Sequence, residues 1–267
     1  MHRPARSWLA IGVVAFVAAS VTASAGAAPA RQTAGTLTYC SDITYPPEEF
    51  YQGTKAVGSD IDIGTEVAKR LGRPAKFQNT GFDAIIASLL AKKCDAIISG
   101  MNDTSDRRKQ VSFVDYLLIG QSLMVQKGNP HHITNLTTLA GRTVSVEVGT
   151  TNKGFLDAES KKLQAKGKPA IKVQAFPHDT DAAAALKTGR VDAYFGDSPV
   201  VAHYIAQDKS FAFAGSPIQP LPVGIAVRKS DTALKAGIQK AIKGMYADGT
   251  MTRILKKWKM TSFELKG

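Results

Sequence analysis

The sequence predicts an α/β protein of two lobes, each built on a parallel-type sheet, with the lobes joined by a two-strand hinge. Three observations carry this reading. Short β-rich runs alternate with helical patterns of roughly 10–15 residues, the signature of βαβ units. The alternation occurs twice, and Cys94-Asp95-Ala96-Ile97-Ile98-Ser99-Gly100 echoes Arg190-Val191-Asp192-Ala193-Tyr194-Phe195-Gly196. Two long extended runs, Leu117 to Lys127 and Leu221 to Lys229, come after the two series and supply two crossings between lobes.

The first series opens with strand Thr36 to Cys40. A helix from Ile61 to Leu71 has apolar residues at helical spacing and stops at Gly72, with Pro74 beyond. Strand Ala75 to Gln78 comes next. The helix after it, Phe82 to Lys92, gathers Phe82, Ile85, Ile86, Leu89 and Leu90 on one face, and Asp95 to Ser99 is a buried strand. The second series runs strand Thr143 to Val148, helix Lys153 to Ala165, strand Ile171 to Phe176, helix Asp181 to Lys187, strand Val191 to Phe195 and helix Ser198 to Gln207. Helices from Asp231 to Ala247 and from Met251 to Lys259 close the chain and return to the first lobe. The expected division is residues 31–119 plus 222–267 for lobe 1 and 120–221 for lobe 2.

Composition excludes other classes. With 44% hydrophobic and 21% charged residues over 267 positions, the chain is too apolar for disorder and long enough for two cores. The formal charge of +12 is dispersed; its densest patch is Lys256-Lys257-Trp258-Lys259. A solvated basic surface is expected, with no nucleic-acid partner.

Residues 1–30 have the layout of an export signal. Arg3 and Arg6 precede an apolar run from Leu9 to Val21, shorter than the roughly 20 residues a membrane-spanning helix needs. Small residues come after it, with Ala23-Ser24-Ala25 in the form a signal peptidase accepts. The expected address is the periplasm. Export permits a disulfide between Cys40 and Cys94, the two cysteines of the chain. Their predicted places, near the end of one strand and the start of its parallel neighbour, separate them by roughly 10–15 Å, which favours two buried thiols. No metal site is expected, since neither cysteine has ligand spacing with a histidine.

In open α/β sheets, ligands bind beyond the carboxyl ends of the strands. The residues there are Ser41 to Phe50, Ser99 to Arg107, Gly149 to Asn152 and Gly196 to Pro199. Arg107 can take a carboxylate with two parallel hydrogen bonds. Backbone N–H groups at Gly149 to Asn152 suit an anion, and Asp197 can accept an ammonium. Together they complement a zwitterion. Each has a plainer alternative: a solvated basic turn for Arg107-Arg108-Lys109, a simple strand-to-helix turn for Gly149-Thr150-Thr151, and a helix cap for Asp197.

Several stretches resemble the solute-binding proteins of polar amino-acid ABC importers, solute-binding protein family 3. These are Tyr45-Pro46-Pro47-Glu48-Glu49-Phe50, Val57-Gly58-Ser59-Asp60-Ile61-Asp62-Ile63, Phe82-Asp83-Ala84-Ile85-Ile86, Asp95 to Met101, Arg107-Arg108-Lys109-Gln110-Val111-Ser112-Phe113, Val148-Gly149-Thr150-Thr151 and Ala247-Asp248-Gly249-Thr250. They stand in family order across nearly all of the chain after the export signal. The resemblance implies a two-lobed periplasmic binding protein type II fold that closes on one ligand, with no cofactor and no catalysis. It implies a monomer that delivers an amino acid to an inner-membrane ABC permease.

By the same resemblance, Arg107 matches the clamp for the ligand α-carboxylate, Thr151 assists from the other lobe, and Asp197 receives the α-ammonium. Asp42, Tyr45 and Phe82 match the side-chain pocket, and Gly100 and Asn102 match cleft-lining positions, with Ser99 added from its place at the strand end. Two departures stand out. Glu48 occupies a usually aromatic place, and Glu147 a commonly apolar or neutral one. With Asp42 they would put three acids near the ligand side chain and favour Lys, Arg or ornithine. Solvent-facing or ion-paired Glu48 and Glu147 would instead leave neutral ligands such as glutamine, or an opine-like compound, open. The alternative functions are a same-fold dehydratase of cyclic carboxylates, with Glu48 or Glu147 as general acid, and a sensor-type binding lobe. Asp103, in the arginine loop, has no account from sequence.

Overall fold

The structure is a computed structural model that describes residues 1–2 and 35–265. It divides into Met1–Gln32 and Thr33–Gly267. Nearly all of the expected export signal lies outside the described residues, and the strands and helices of the fold belong to the second unit.

Strand β1 (Leu37–Ser41) leads into a small antiparallel meander of β2 (Thr44–Tyr45), β3 (Glu49–Gln52) and β4 (Lys55–Val57). Helix α1 (Ser59–Arg70) starts with Asp60 and Asp62 in its first turn and ends with Lys69 and Arg70, each matched to the helix dipole. Strand β5 (Ala75–Asn79) is next, then a 3-10 turn at Phe82–Ala84 running into α2 (Ile85–Leu90), and β6 (Ala96–Ile97). The one-turn helix α3 (Ser105–Arg108) precedes the 16-residue strand β7 (Val111–Gln126).

The second series is β8 (Thr143–Glu147), α4 (Thr151–Ala165), β9 (Lys172–Phe176), α5 (Asp179–Lys187), β10 (Ala193–Asp197) and α6 (Ser198–Gln207). The 18-residue strand β11 (Phe211–Arg228), α7 (Thr232–Ala247) and α8 (Thr250–Lys257) complete the chain.

The parallel-type strands fall in two groups, β5-β1-β6 and β10-β8-β9, but they do not form two separate sheets. One eight-stranded sheet runs β5-β1-β6-β11-β7-β10-β8-β9. The reason is the length of β7 and β11. At about 3.3 Å per residue each spans roughly 50 Å or more, so the two pair with each other antiparallel and each group of parallel strands joins one end. The second crossing was expected only from residue 221. It begins at Phe211, and its prolines 217, 220 and 222 stand around register shifts at Ala214/Ile218, Ile218/Leu221 and Val223/Gly224, where an unpaired backbone nitrogen is tolerated.

Apolar packing obeys the same partition. One cluster joins Leu37, Tyr39, Ile63 and Val67 to Ile238, Ile242, Met245, Met251 and Leu255, so α7 and α8 pack back on the first group of strands. Another joins Leu123, Val125, Val144, Val146, Leu156 and Phe195. Tyr45 is an exception: it packs with Met124, Leu186 and Tyr194 on the far side.

The expectation of two free thiols is overturned. Cys40 and Cys94 form a disulfide with a Cα–Cα distance of 5.7 Å. The strand is β6, two residues long, with Cys40 opposite Ile97. Cys94 lies before it in a turn where Lys92 has φ 59°, and the Asp95 N–H donates back to the Thr38 carbonyl at 2.8 Å. The turn folds the chain back towards β1 and removes the offset that a straight strand would impose.

Candidate binding cleft

Strand ends of both groups meet in a narrow cavity. Asp42, Tyr45, Phe82, Gly100 and Asn102 line it from one side, and Glu147, Thr150, Asn152 and Asp197 from the other. Seven of the twelve residues expected at a site are among them. Arg107, Gly149 and Thr151 reach the cavity through contacts with its lining, and Ser99 and Glu48 lie behind it.

Arg107 is buried rather than in an exposed loop. Its backbone N–H is capped by the Thr104 hydroxyl at 3.3 Å, which starts α3. One Nη donates to the Asn102 carbonyl at 2.8 Å and the other to the Gly149 carbonyl at 3.2 Å, across the cleft. The guanidinium carbon stands 5.2 Å from the centre of the Phe82 ring. These bonds leave donors of the five-donor fork to spare. Burial pulls the guanidinium down to about 10, against the charges of Asp197, Tyr45 and Asp103. Its neighbour Arg108 is a different case: Nε and Nη2 hold the two oxygens of Asp103 at 2.6 and 2.5 Å. That fork accounts for Asp103, which anchors the arginine loop.

The two walls touch at several further points. The Thr151 hydroxyl donates to Asn102 Oδ1 at 2.5 Å, and the Asp197 N–H donates to the Tyr45 hydroxyl at 3.3 Å. Gly149 has φ 78°, and a Cβ there would stand 2.9 Å from the Asp83 Cα. Only glycine permits both that dihedral and that approach.

Asp197 makes no side-chain bond to the start of α6. Its Oδ1 instead accepts from Asn152 Nδ2 at 3.2 Å. The capping alternative therefore fails. Burial raises its carboxyl to about 6, with Asn152, Tyr45 and Arg107 pulling the other way.

The acids differ in their hydrogen-bond partners. Asp42 accepts from Thr44 Oγ1 at 2.7 Å and from the Phe82 N–H at 2.8 Å. It interacts with Glu147 on the opposite wall. Burial raises both carboxyls; Glu147 rises well above the usual carboxylate range, pushed further by Asp179 and Asp42. Glu147 is 2% exposed and Glu48 0%, so neither faces solvent.

Glu48 feels Asp60 first and then Asp197 and Asp179, the last two of which also act on Glu147. Ser99 does not present its hydroxyl to the cavity: it accepts from the Asp42 N–H at 2.9 Å and donates to Glu49 at 2.7 Å. Glu49, Asp60, Thr150, Asn152 and Asp179 were not singled out from sequence. Asp60 was legible in the Gly58-to-Ile63 stretch, and it accepts from the Gly100 N–H at 2.8 Å and the Tyr116 hydroxyl at 2.7 Å. Among the described residues no cluster of three His, Cys, Asp or Glu could hold a metal ion.

A larger, open groove between Phe50, Pro199, His203 and Trp258 carries lysines and aromatics but no carboxylate. It lacks the mixed charge of the cleft.

Two α/β lobes crossed by a pair of long strands, with opposite charges converging between them, have the architecture of a solute-binding protein. The chain belongs to the bacterial extracellular solute-binding proteins, family 3, whose pattern it matches over residues 37–261. It is similar to the ABC transporter arginine-binding protein 1 of Escherichia coli (strain K12), 30% identical over 252 residues that cover 92% of this chain and 97% of that protein. An ancestral arginine-binding protein bound to arginine is 36% identical with a TM-score of 0.79, covering 85% of this chain and 99% of the other. The ancestral amino acid-binding protein AncCDT-1, a precursor of cyclohexadienyl dehydratase, is 32% identical with a TM-score of 0.76, covering 84% and 95%.

Proposed function

We propose that the chain is the periplasmic binding component of an ABC importer, holding a polar amino acid with a cationic side chain between its lobes and delivering it to a membrane permease. The division into residues 31–119 plus 222–267 and 120–221 supports the hinge, because the two main apolar clusters fall on either side of it. The observation that carries the reading is the charge arrangement: one buried guanidinium beside Asp197, and two further acids, Asp42 and Glu147, on facing walls of the same cavity.

In this reading the spare donors of Arg107 take the ligand α-carboxylate, and Asp197 takes the α-ammonium. Tyr45 and Phe82 flank the aliphatic stem. Asp42 and Glu147 take the side-chain cation; its charge displaces the proton that burial favours on these carboxyls. Groups from both lobes act on one ligand, so binding stabilises the closed arrangement through contacts the open one lacks. The protein acts as a carrier and performs no turnover. The complete α-carboxylate and α-ammonium clamp suits an amino acid better than the ammonium-free substrate of a dehydratase.

The test is a thermal-shift screen of the purified protein against the amino acids, ornithine, citrulline and opines. A ligand at a hundredfold excess over its dissociation constant contributes about 2.7 kcal/mol. A shift with Arg, Lys or ornithine supports the proposal. A shift with neutral residues alone removes the cationic class, and turnover of a prephenate-like substrate would replace transport with catalysis.

A further inference from the structure

Behind the cleft lie three buried acids, Glu48, Glu49 and Asp60, that the proposed carrier function leaves unused. Glu48 is fully buried, and neither of its carboxyl oxygens has a hydrogen-bond partner among the described residues. Its backbone is fixed, the carbonyl accepting from the Asp60 N–H at 2.9 Å. Burial first, and then the charges of Asp60 and Asp197, hold its carboxyl well above the usual range. A buried acid among acids, with no basic partner, is costly to keep.

What separates Glu48 from the cavity is Gly100. Gly100 lines the cavity, and a Cβ on it would stand 4.0 Å from Glu48 Cγ and 3.2 Å from the Tyr45 ring. With only a hydrogen there, the glutamate methylene chain comes up directly behind the cavity wall. Asp197 lines the same cavity from the opposite lobe, and its charge acts on Glu48. A cation seated at Asp197 would therefore have a second carboxyl, that of Glu48, behind the wall of the same cavity.

We propose that Glu48 is a second carboxylate for the ligand's α-ammonium, paired with Asp197 across the cleft and reaching it past Gly100. The proposal rests on the amino-acid function proposed for the cleft and adds a specificity to it: the pocket selects solutes whose α-substituent carries a full positive charge over α-hydroxy analogues of the same shape. Two carboxylates facing one ammonium also tie the lobes together at the ligand, which a single acid on one lobe does not do.

The test compares the wild type with Glu48→Gln, which keeps the shape and removes the charge. Each is titrated calorimetrically with L-arginine and with its α-hydroxy analogue at pH 7.5. Glu48→Gln should lose tenfold or more in affinity for L-arginine and less than threefold for the analogue. An equal loss on both ligands, or no loss on either, overturns the proposal while leaving the amino-acid reading intact. If Glu48→Gln does not fold, Glu48→Leu carries the same comparison. If L-glutamine rather than L-arginine binds the wild type, L-glutamine and its α-hydroxy analogue decide it. Binding of neither amino acid by the wild type defeats the amino-acid reading, and this proposal with it.

Discussion

Replacing Arg107 by Lys keeps a cation in the cleft and removes the fork. The Asn102 and Gly149 carbonyls occupy two of its N–H groups, and the parallel pair needed for a carboxylate comes from the remainder. A hydrogen bond to a charged group contributes about 1.5–3 kcal/mol, so losing both costs about 3–6 kcal/mol and losing one about half that. Arg107→Ala should therefore weaken binding by about 10²- to 10⁴-fold, and Arg107→Lys by about 10- to 100-fold, at 1.4 kcal/mol per factor of ten. Isothermal titration at pH 7.5 with the tightest ligand from the screen reads both numbers. The order wild type, Lys, Ala is the diagnostic result. A Lys variant within twofold of wild type would show that charge alone suffices, and the carboxylate clamp would be wrong.

Three further outcomes are expected. Asp42→Asn and Glu147→Gln should each weaken a cationic amino acid at least tenfold more than glutamine, since they remove charge and not shape; parallel losses on both ligands would dissociate the acid pair from side-chain selection. Acid should act in opposite directions on stability and binding. Burial raises Asp60 and Asp197 to about 6 and Asp179 to about 7, all from 3.8. Groups raised in the folded state contribute stability that is present at low pH and lost as pH rises through those values. The ligand-free melting temperature should thus fall between pH 5 and pH 7.5, whereas ligand affinity should fall on acidification below about 6, as Asp197 protonates; trends of the same sign in both would contradict the assignment. Finally, the Cys40–Cys94 bond spans 54 residues, for which loop-closure entropy gives about 4 kcal/mol. Cys40→Ser should lower the melting temperature by about 8–16 °C, and a change under 3 °C would mean that the bond constrains little in the unfolded chain.

The βαβ units were legible because each pairs a buried apolar strand with a helix of clear period. The structure places α1, α4, α5 and α6 within about two residues of where periodicity put their ends. What escaped was local geometry. The β2-β3-β4 meander has strands of two to four residues around Pro46-Pro47 and Gly53, too short for any period to show. The start of β11 was hidden by prolines that the register shifts accommodate. The disulfide depended on a turn at Lys92, not on strand offset.

Residue types at strand ends singled out Arg107, Asp42 and Asp197, and the structure brings the three to one cleft. Their burial and partners were not visible, because these depend on the opposite wall. Sequence also grouped Glu48 with Asp42 and Glu147, whereas the backbone bond between Glu48 and Asp60 turns it behind Gly100.

With Arg107, Asp197, Asp42 and Glu147 in the proposed roles, the cleft should hold a solute with two positive groups and one carboxylate. Parallel calorimetric titrations of the wild-type protein with L-arginine and L-glutamine test it most directly. The two share the α-carboxylate and α-ammonium and differ in side-chain charge. L-arginine should bind at least tenfold more tightly; equal affinities, tighter L-glutamine, or no binding of either would contradict a cleft for a cationic amino acid.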